Sequence, residues 1–442
     1  MKEATLLQFL LGIIVCSTLF FCTNAEDPYL FYTWEVTYGT RAPLGVPQQV
    51  ILINNQFPGP PIEAVTNNNI VVNVINHLDE PFLITWHGIM QRRTSWQDGV
   101  LGTNCPIPPH SNWTYKFQVK DQIGTFMYYP STLMHRASGG FGAFNINQRS
   151  VISIPYPAFD EDVTLLVGDW YIKGHKALQK QLDSGLDLPL PDGLLINGGS
   201  QTPPSLPLPV APTYHVHWSM KHARTIRMNL TANAARPNPQ GSFHYGAIKV
   251  VRTILLANEK VEINDKLRYA VNGISYVDPA TPLKLADWFN IPGVFVLNGT
   301  KDAPPSGPPT LGVSVFGLTL HDFVEIVFQN TEKTIQSWHL DGYNFFVAGY
   351  GGGNWTTDVR RRKRYNLVDA VSRNTVQVYP KSWTSILVSL DNKGMWNLRS
   401  QTWSKRYLGQ EVYLRVWNDE KSLYTETDIP PNALFCGKAV QS

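Results

Sequence analysis

The amino-acid sequence predicts an all-β protein built from Greek-key sandwich domains. Two observations carry this prediction. Glycine and proline are frequent, with 33 and 32 copies in 442 residues, and they separate short runs of strand-forming residues. Within one such run Tyr115, Phe117 and Val119 alternate with polar residues. This period of two is typical of a strand with one buried face, and many short strands in succession are typical of a sandwich or barrel.

Strand-like runs recur along the whole chain. Further β-rich runs bounded by turn residues are Gln49–Asn54, Asn69–Asn76, Phe323–Phe328, Trp383–Leu390 and the alternating set Val412, Leu414 and Val416. One helix is expected at His175–Leu186, because Leu178 and Leu182 lie four positions apart and therefore share a helix face.

The first 25 residues are expected to be a secretory signal peptide. An apolar run from Leu6 to Phe21 follows Lys2 and precedes Thr23-Asn24-Ala25, a pattern typical of a cleavable signal. The run is short for a membrane span, which needs about 20 apolar residues. The C-terminal residues 432–438 are not a hydrophobic GPI signal. The mature chain is therefore expected to be secreted, without a transmembrane segment.

Cysteines and glycosylation sequons fit this location. Removal of the signal leaves Cys105 and Cys436, and in an oxidising compartment such a pair favours a long-range disulfide. Two buried free thiols are the alternative. Sequons expected to carry N-linked glycans begin at Asn112, Asn229, Asn298 and Asn354.

Charge gives one candidate interaction site. The net charge is only +3, but residues 360–364 form an uninterrupted run of arginine and lysine. Such a run is either a solvated loop or a contact for an acidic cell-wall polysaccharide. A secreted chain is not expected to bind nucleic acid. The sequence also lacks the G-x-S-x-G, P-loop, G-x-G-x-x-G and H-E-x-x-H motifs.

Four segments keep the framework of a copper-binding motif without most of its ligands. They are Thr85–Gln91, Gly124–Ser131, Gln336–Tyr343 and Trp396–Gln401. They resemble the H-W-H-G-x-x-Q, G-T-F-x-Y-H-G-H, H-P-x-H-L-H-G-H and W-x-F-H-C-H motifs of the multicopper oxidases, the family of plant ascorbate oxidases and laccases.

The resemblance implies a copper cofactor, but the residues argue against it. Of the histidine ligands, only His87 and His339 remain. The other ligand positions hold Thr85, Tyr129, Ser131, Gln336, Asp341, Arg399, Ser400, Gln401 and Lys405. A mononuclear copper site needs a soft thiolate, which Ser400 does not supply. No cofactor, no metal site and no catalytic residue are therefore expected.

Two alternatives to this interpretation stay open. His87 and His339 could hold one metal ion with Asp341 as a third ligand, although a buried pair hydrogen-bonded to neighbours such as Tyr129 is preferred. His215 and His217 would share a face if they lie in a strand, but an incidental pair is the preferred interpretation.

The resemblance is closest to the pollen-specific and skewed-growth group, the monocopper-oxidase-like proteins, and extends from about Tyr29 to Gly437. Its marks include Gly168–Tyr171, Arg236–Ser242 and Met395–Ser400. It implies three cupredoxin-like domains and a Cys105–Cys436 bridge between the first domain and the C-terminus. It also implies a role in polarised growth through cell-wall polysaccharide or extracellular protein. A functional copper-dependent oxidoreductase acting on ascorbate or phenols is the alternative.

The middle domain is expected to be truncated. The expected domains are residues 26–150, 151–245 and 246–442. After Gly198 a proline-rich stretch with Pro203, Pro204, Pro207, Pro209 and Pro212 follows at once. A sandwich needs on the order of 100 residues to close a core, which this segment does not provide.

Overall fold

The computed structural model describes residues 27–151, 157, 160–200, 215–229, 245–358, 365–367 and 370–441. The predicted signal peptide (1–25), the proline-rich stretch (203–212) and the cationic run (360–364) lie outside the described residues.

The N-terminal part forms two packed sheets. Its strands are β1 (Tyr29–Arg41), β2 (Gln48–Ile53), β3 (Ile62–Val65), β4 (Asn69–Asn76), β5 (Ile84–His87), β6 (Asn112–Gln118), β7 (Gly124–Pro130) and β8 (Gly142–Asn147). One 4-stranded sheet has the order β2-β1-β4-β6 and the other β3-β8-β7-β5. In β4 the buried residues Ile70, Val72 and Val74 alternate with more exposed ones. These three residues belong to a hydrophobic core that also contains Trp34 and Trp86. The apolar face of β4 is therefore turned toward the partner sheet.

The middle part is small. Strands β9 (Val167–Trp170), β10 (Gly193–Ile196) and β11 (Gly199–Ser200) form a 3-stranded sheet. Helix α1 (His175–Asp183) buries Leu178 and Leu182, which confirms the predicted helix with an earlier end. Helix α2 spans His215–Asn229, so the strand considered for His215–His217 is wrong.

The C-terminal part again forms two sheets. Its elements are β12 (Arg252–Ile263), β13 (Lys266–Val271), β14 (Ile274–Tyr276), α3 (Leu283–Trp288), β15 (Val296–Leu297), β16 (Thr310–Gly312), β17 (Ser314–Thr319), β18 (Phe323–Asn330), β19 (Gln336–Leu340), β20 (Phe345–Gly352), β21 (Ser372–Arg373), β22 (Thr375–Val378), β23 (Ser382–Ser389), β24 (Gly394–Ser400), α4 (Trp403–Tyr407) and β25 (Glu411–Trp417). The 8-stranded sheet has the order β16-β14-β13-β12-β18-β23-β20-β21 and the 6-stranded sheet β15-β17-β25-β24-β19-β22. The all-β prediction is confirmed.

The C-terminal segment returns to the first pair of sheets. Cys105 and Cys436 form a disulfide across 331 positions of sequence, as the resemblance implied. The indole of Trp113 donates to the carbonyl of Asn432 at 2.8 Å. Glu426 accepts a hydrogen bond from the amide of Ser95 at 3.0 Å. These contacts fix the first and last parts of the chain against each other, and the four motif segments meet at this junction.

The sequon asparagines and the lengths of the helices bear on where the chain resides. Asn112, Asn298 and Asn354 are exposed, as glycosylation would require, and Asn229 is the last residue of α2. Among the described residues, no helix has the length and apolar character needed to cross a membrane.

Candidate functional site

Strand pairing brings the four motif segments together. Thr85 on β5 lies opposite Tyr129 on β7, and His339 on β19 lies opposite Arg399 on β24. The two strand pairs face each other across the junction. His87, also on β5, and His339 on β19 have ring centroids only 3.9 Å apart. The sequence motifs therefore predicted one spatial site.

The two retained histidines are already hydrogen-bonded within the protein. Nδ1 of His87 lies 3.1 Å from the Tyr129 hydroxyl. Nδ1 of His339 lies 2.8 Å from the Thr375 hydroxyl, and its Nε2 lies 2.9 Å from Oδ1 of Asp341. Burial lowers the pKa of both imidazoles below its ordinary value, and the positive charge of Arg399 adds to this effect.

A buried ion pair occupies the centre of the site. The guanidinium of Arg399 donates through Nη1 to Oδ2 of Asp341 and to Oδ1 of Asn397 at 3.0 Å. Burial alone would raise the pKa of Asp341, but the charge of Arg399 lowers it well below its usual range. The pair is fixed by its neighbours, because Nη2 also lies 3.5 Å from the Tyr129 hydroxyl.

A second acidic group in the site, Asp98, was missed by the sequence reasoning. Asp98 is fully buried, and neither of its carboxyl oxygens accepts a hydrogen bond. Burial, followed by the charge of Asp341, raises its pKa well above the ordinary value. Asp98 therefore keeps its proton to a higher pH than an exposed aspartate does. The sequence carries little signal for it, because Asp98 follows Trp96-Gln97 and precedes Gly99-Val100 in a segment of mixed polarity.

The position expected for a mononuclear copper also holds an ion pair. Nζ of Lys405 lies 2.6 Å from Oε2 of Glu332, and Nε2 of Gln336 donates to Oε1 of the same carboxylate at 3.2 Å. Ser400 is buried, and its hydroxyl accepts from the amide of Thr402 at 3.3 Å. An ammonium and an amide are therefore arranged around the Glu332 carboxylate, and a hydroxyl stands where the resemblance places the thiolate.

These residues do not fit a multicopper centre. Arginine offers no lone pair to a metal and keeps its charge at all ordinary pH values, and Arg399 lies among the positions where the resemblance places copper ligands. Copper at the mononuclear site would need a thiolate with two imidazoles, and Ser400, Gln336 and Lys405 supply none of these. The histidine pair with Asp341 was the metal alternative in the sequence; here Asp341 is already paired with Arg399.

A cavity of about 420 Å³ opens beside the site. It lies between the first pair of sheets, the 3-stranded sheet and α4. Its lining includes Arg136, Asp169, Tyr171, Gln401 and Trp403. The Tyr171 and Trp403 rings contact each other edge to face at 5.5 Å. Aromatic rings together with a few polar groups are the usual lining of ligand pockets.

Comparison with family models gives one result for all three parts of the chain. Models described as multicopper oxidase match residues 35–151, 161–253 and 280–422.

Comparison with characterised sequences gives relatives over nearly the full length. An L-ascorbate oxidase homolog of Brassica napus is 42% identical, covering 99% of this chain and 97% of the relative. The monocopper oxidase-like protein SKU5 of Arabidopsis thaliana is 41% identical, with 98% and 92% covered. The L-ascorbate oxidase of Cucumis sativus is 25% identical, with 92% and 91% covered.

Solved structures share the fold at lower identity. Fet3p, a multicopper oxidase that functions in iron import, superposes with a TM-score of 0.68 at 17% identity, covering 88% of this chain and 90% of that chain. The L499M mutant of the laccase from Botrytis aclada gives 0.67 at 19% identity, with 92% and 90% covered.

Proposed function

This chain belongs to the multicopper oxidase family, and we propose that it is a secreted member without catalytic activity that acts in the plant cell wall. The observation that carries the proposal is the Arg399–Asp341 ion pair among the former ligand positions. A permanent cation at that place opposes the binding of a second cation. The Lys405–Glu332 pair opposes copper at the mononuclear position in the same way.

A binding role in polarised growth, in pollen tubes or roots, is the function we infer in place of oxidation. The relatives at about 40% identity are ascorbate oxidase homologs and monocopper oxidase-like proteins, which supports placing this chain with the growth-related group. The cavity lined by Arg136, Tyr171 and Trp403 offers a place for a cell-wall polysaccharide. An extracellular protein is the other partner class. The competing function is a copper-dependent oxidoreductase acting on ascorbate or phenols.

We further propose that the middle domain is truncated, with domains at 26–150, 151–245 and 246–442. The alignment with the Brassica napus relative extends over 545 positions, whereas this chain has 442 residues, so part of the relative has no counterpart. Val163 and Leu165, which precede the 3-stranded sheet, and Val167, which begins its strand β9, are each at least 59 % exposed. Apolar residues in this position are normally covered by a second sheet.

The test measures copper and oxidation on the secreted, glycosylated chain after reconstitution with copper. We expect less than one copper per chain at the motif residues, no intense blue absorption band, and no oxidation of ascorbate or phenols. The Cucumis sativus ascorbate oxidase, treated identically, is the positive control. Several coppers per chain with turnover of either substrate would establish the oxidoreductase alternative.

A further inference from the structure

A second cluster of ionisable side chains lies away from the copper-motif residues. It comprises Glu80 between β4 and β5, His135 at the start of a 3₁₀-helix (His135–Ser138), and His175 at the start of α1. One potential ligand atom from each residue lies within 4.8 Å of the other two. Nε2 of His175 is 2.9 Å from Oε1 of Glu80, and Nε2 of His135 is 3.2 Å from Oε2.

Hydroxyl groups orient both imidazoles from behind. Nδ1 of His135 lies 2.8 Å from the Thr132 hydroxyl, and Nδ1 of His175 lies 3.0 Å from the Ser138 hydroxyl. Both rings therefore present Nε2 to the carboxylate. Partners on the far ring nitrogen are a regular feature of metal-binding histidines, because they fix the tautomer and the ring orientation.

Hydrogen bonding inside the cluster is incomplete. The side chain of His135 is fully buried, yet its Nε2 has no hydrogen-bond partner, since the contact with Glu80 lies outside hydrogen-bond geometry. Nε2 of His339 beside Asp341 also lacks a hydrogen bond, but there Arg399 already pairs with the carboxylate. A ligand between His135 and Glu80 would satisfy the His135 ring nitrogen, as most buried polar groups are satisfied.

We propose that Glu80, His135 and His175 bind one divalent transition-metal ion, with Zn²⁺ as the best-matched ion. Two imidazoles and one carboxylate are a common donor set for zinc, whereas Mg²⁺ and Ca²⁺ prefer all-oxygen sites. With Zn–N bonds of about 2.0–2.1 Å, neighbouring ligands of a tetrahedral ion lie roughly 3.3 Å apart. The two histidine–glutamate distances already approach this value.

The donor atoms of the cluster suit a cation. Glu80 offers a carboxylate, and each histidine presents the Nε2 atom of its ring to that carboxylate. An ionised carboxylate and neutral imidazoles are the forms that bind metal.

The Glu80 carboxylate has two further partners, which would have to move away when a metal ion binds. The Tyr38 hydroxyl donates to Oε1 of Glu80, and Nζ of Lys176 lies 3.1 Å from the same oxygen. The Lys176 side chain is 54 % exposed, so its ammonium can turn to solvent. The bound ion would then link the first pair of sheets to α1 of the middle part. Its role would be structural and independent of the proposed function.

The experiment titrates Zn²⁺ into the chelator-treated full-length secreted protein by calorimetry, with Co²⁺ absorption reporting the coordination. We expect one strong site per chain, a tetrahedral Co²⁺ spectrum, and a melting temperature that rises with zinc, because the ion binds only the folded state. Excess Mg²⁺ should not compete. Glu80→Gln and His175→Asn should each weaken zinc binding by about 100-fold or more.

Two matched controls separate this site from others. His87→Gln changes a copper-motif position and His110→Asn changes an exposed histidine; both should bind zinc as the unmodified chain does. Circular dichroism and the intact Cys105–Cys436 bridge report folding of each variant. Glu80→Gln keeps the shape of the side chain, so it carries the test if a histidine variant fails to fold. Absence of a stoichiometric site, unchanged affinity in Glu80→Gln, or loss of binding in His87→Gln would overturn the proposal.

Discussion

Arg399 donates a hydrogen bond to Asp341 inside the protein, where both side chains are at most 3 % exposed. The pair joins β24 to the turn after β19, at the place where the family resemblance expects two histidine ligands. A guanidinium with a carboxylate thus replaces a metal with its imidazoles. The guanidinium places a permanent cation, balanced by a carboxylate, at the junction of the first and last parts of the chain.

Replacing Arg399 with methionine should strongly destabilise the protein. Arg399→Met keeps most of the side-chain volume but leaves the Asp341 carboxylate buried without its partner. Removal of one member of a buried ion pair costs about 3–5 kcal/mol. The measurement is the free energy of unfolding from urea denaturation, or the melting temperature where unfolding is not reversible.

The control for this substitution is Arg373→Met, because Arg373 is exposed on the short strand β21 and should tolerate the change. The double variant Arg399→Met/Asp341→Asn should recover part of the loss, since it removes the unpaired charge. Equal stability of Arg399→Met and Arg373→Met would show that the buried pair contributes nothing.

Replacing Asp98 with asparagine should stabilise the protein in a pH-dependent manner. The unfolded Asp98 titrates near its ordinary value of about 3.9, whereas burial raises its pKa in the folded state. Between these two values the folded state binds more protons, so its stability falls as the pH rises. Asp98→Asn removes this penalty, and its advantage should grow from pH 4 upward.

Melting temperatures of the unmodified chain and Asp98→Asn, recorded from pH 4 to pH 8, measure this effect. Asp121→Asn is the matched control, because Asp121 is exposed and the same substitution is made there without burial of the side chain. A constant difference between Asp98→Asn and the unmodified chain would contradict the assigned protonation.

Loss of the Cys105–Cys436 disulfide should lower stability. The bridge closes a loop across 331 positions, for which the chain-entropy model gives roughly 6 kcal/mol before any native strain is subtracted. Cys105→Ser/Cys436→Ser should unfold at lower urea concentration than the oxidised chain. Dithiothreitol should lower the urea concentration at which the oxidised chain unfolds but should not change that of the double variant. Peptide mapping without reductant that finds both thiols free would refute the pairing.

Sequence patterns predicted the elements in which a single local signal dominates. The alternation in Asn69–Asn76 gives the bounds of β4 without error, because its apolar residues face one core. Helix α2 was not predicted, since Val216 and Trp218 favour strands by local propensity. For this helix tertiary packing decides the structure, because Met220 and Ala223 pack against the hydrophobic core of the C-terminal part.

The contacts of the site could be predicted only in part. The motifs indicated that His87 and His339 lie close together, because the family fold determines their register. The Lys405–Glu332 pair could not be predicted, since its members are 73 positions apart and no motif contains Glu332. The Glu80, His135 and His175 cluster escaped for the same reason, as three separate segments contribute one residue each.

Limited proteolysis should cut first between about Leu188 and Thr213. Leu186 and Leu190 are 61 % and 69 % exposed, and the proline-rich stretch that follows cannot donate to a strand ladder, because proline lacks the backbone N–H. A protease needs an extended, unpaired segment, so residues in paired strands should resist cleavage. The cut should therefore fall before or after strand β10 (Gly193–Ile196), which is paired on both sides.

The expected products are two fragments that remain joined by the Cys105–Cys436 bridge. Electrophoresis should show a single band without reductant and two bands after reduction, and mass spectrometry should place the cut within residues 188–213. The strands around Trp86 and Trp338 serve as internal controls, because both tryptophans are buried within paired strands. If the 188–213 segment resists as long as those strands do, the proposal of a truncated middle domain is wrong, because a closed domain would then protect the segment.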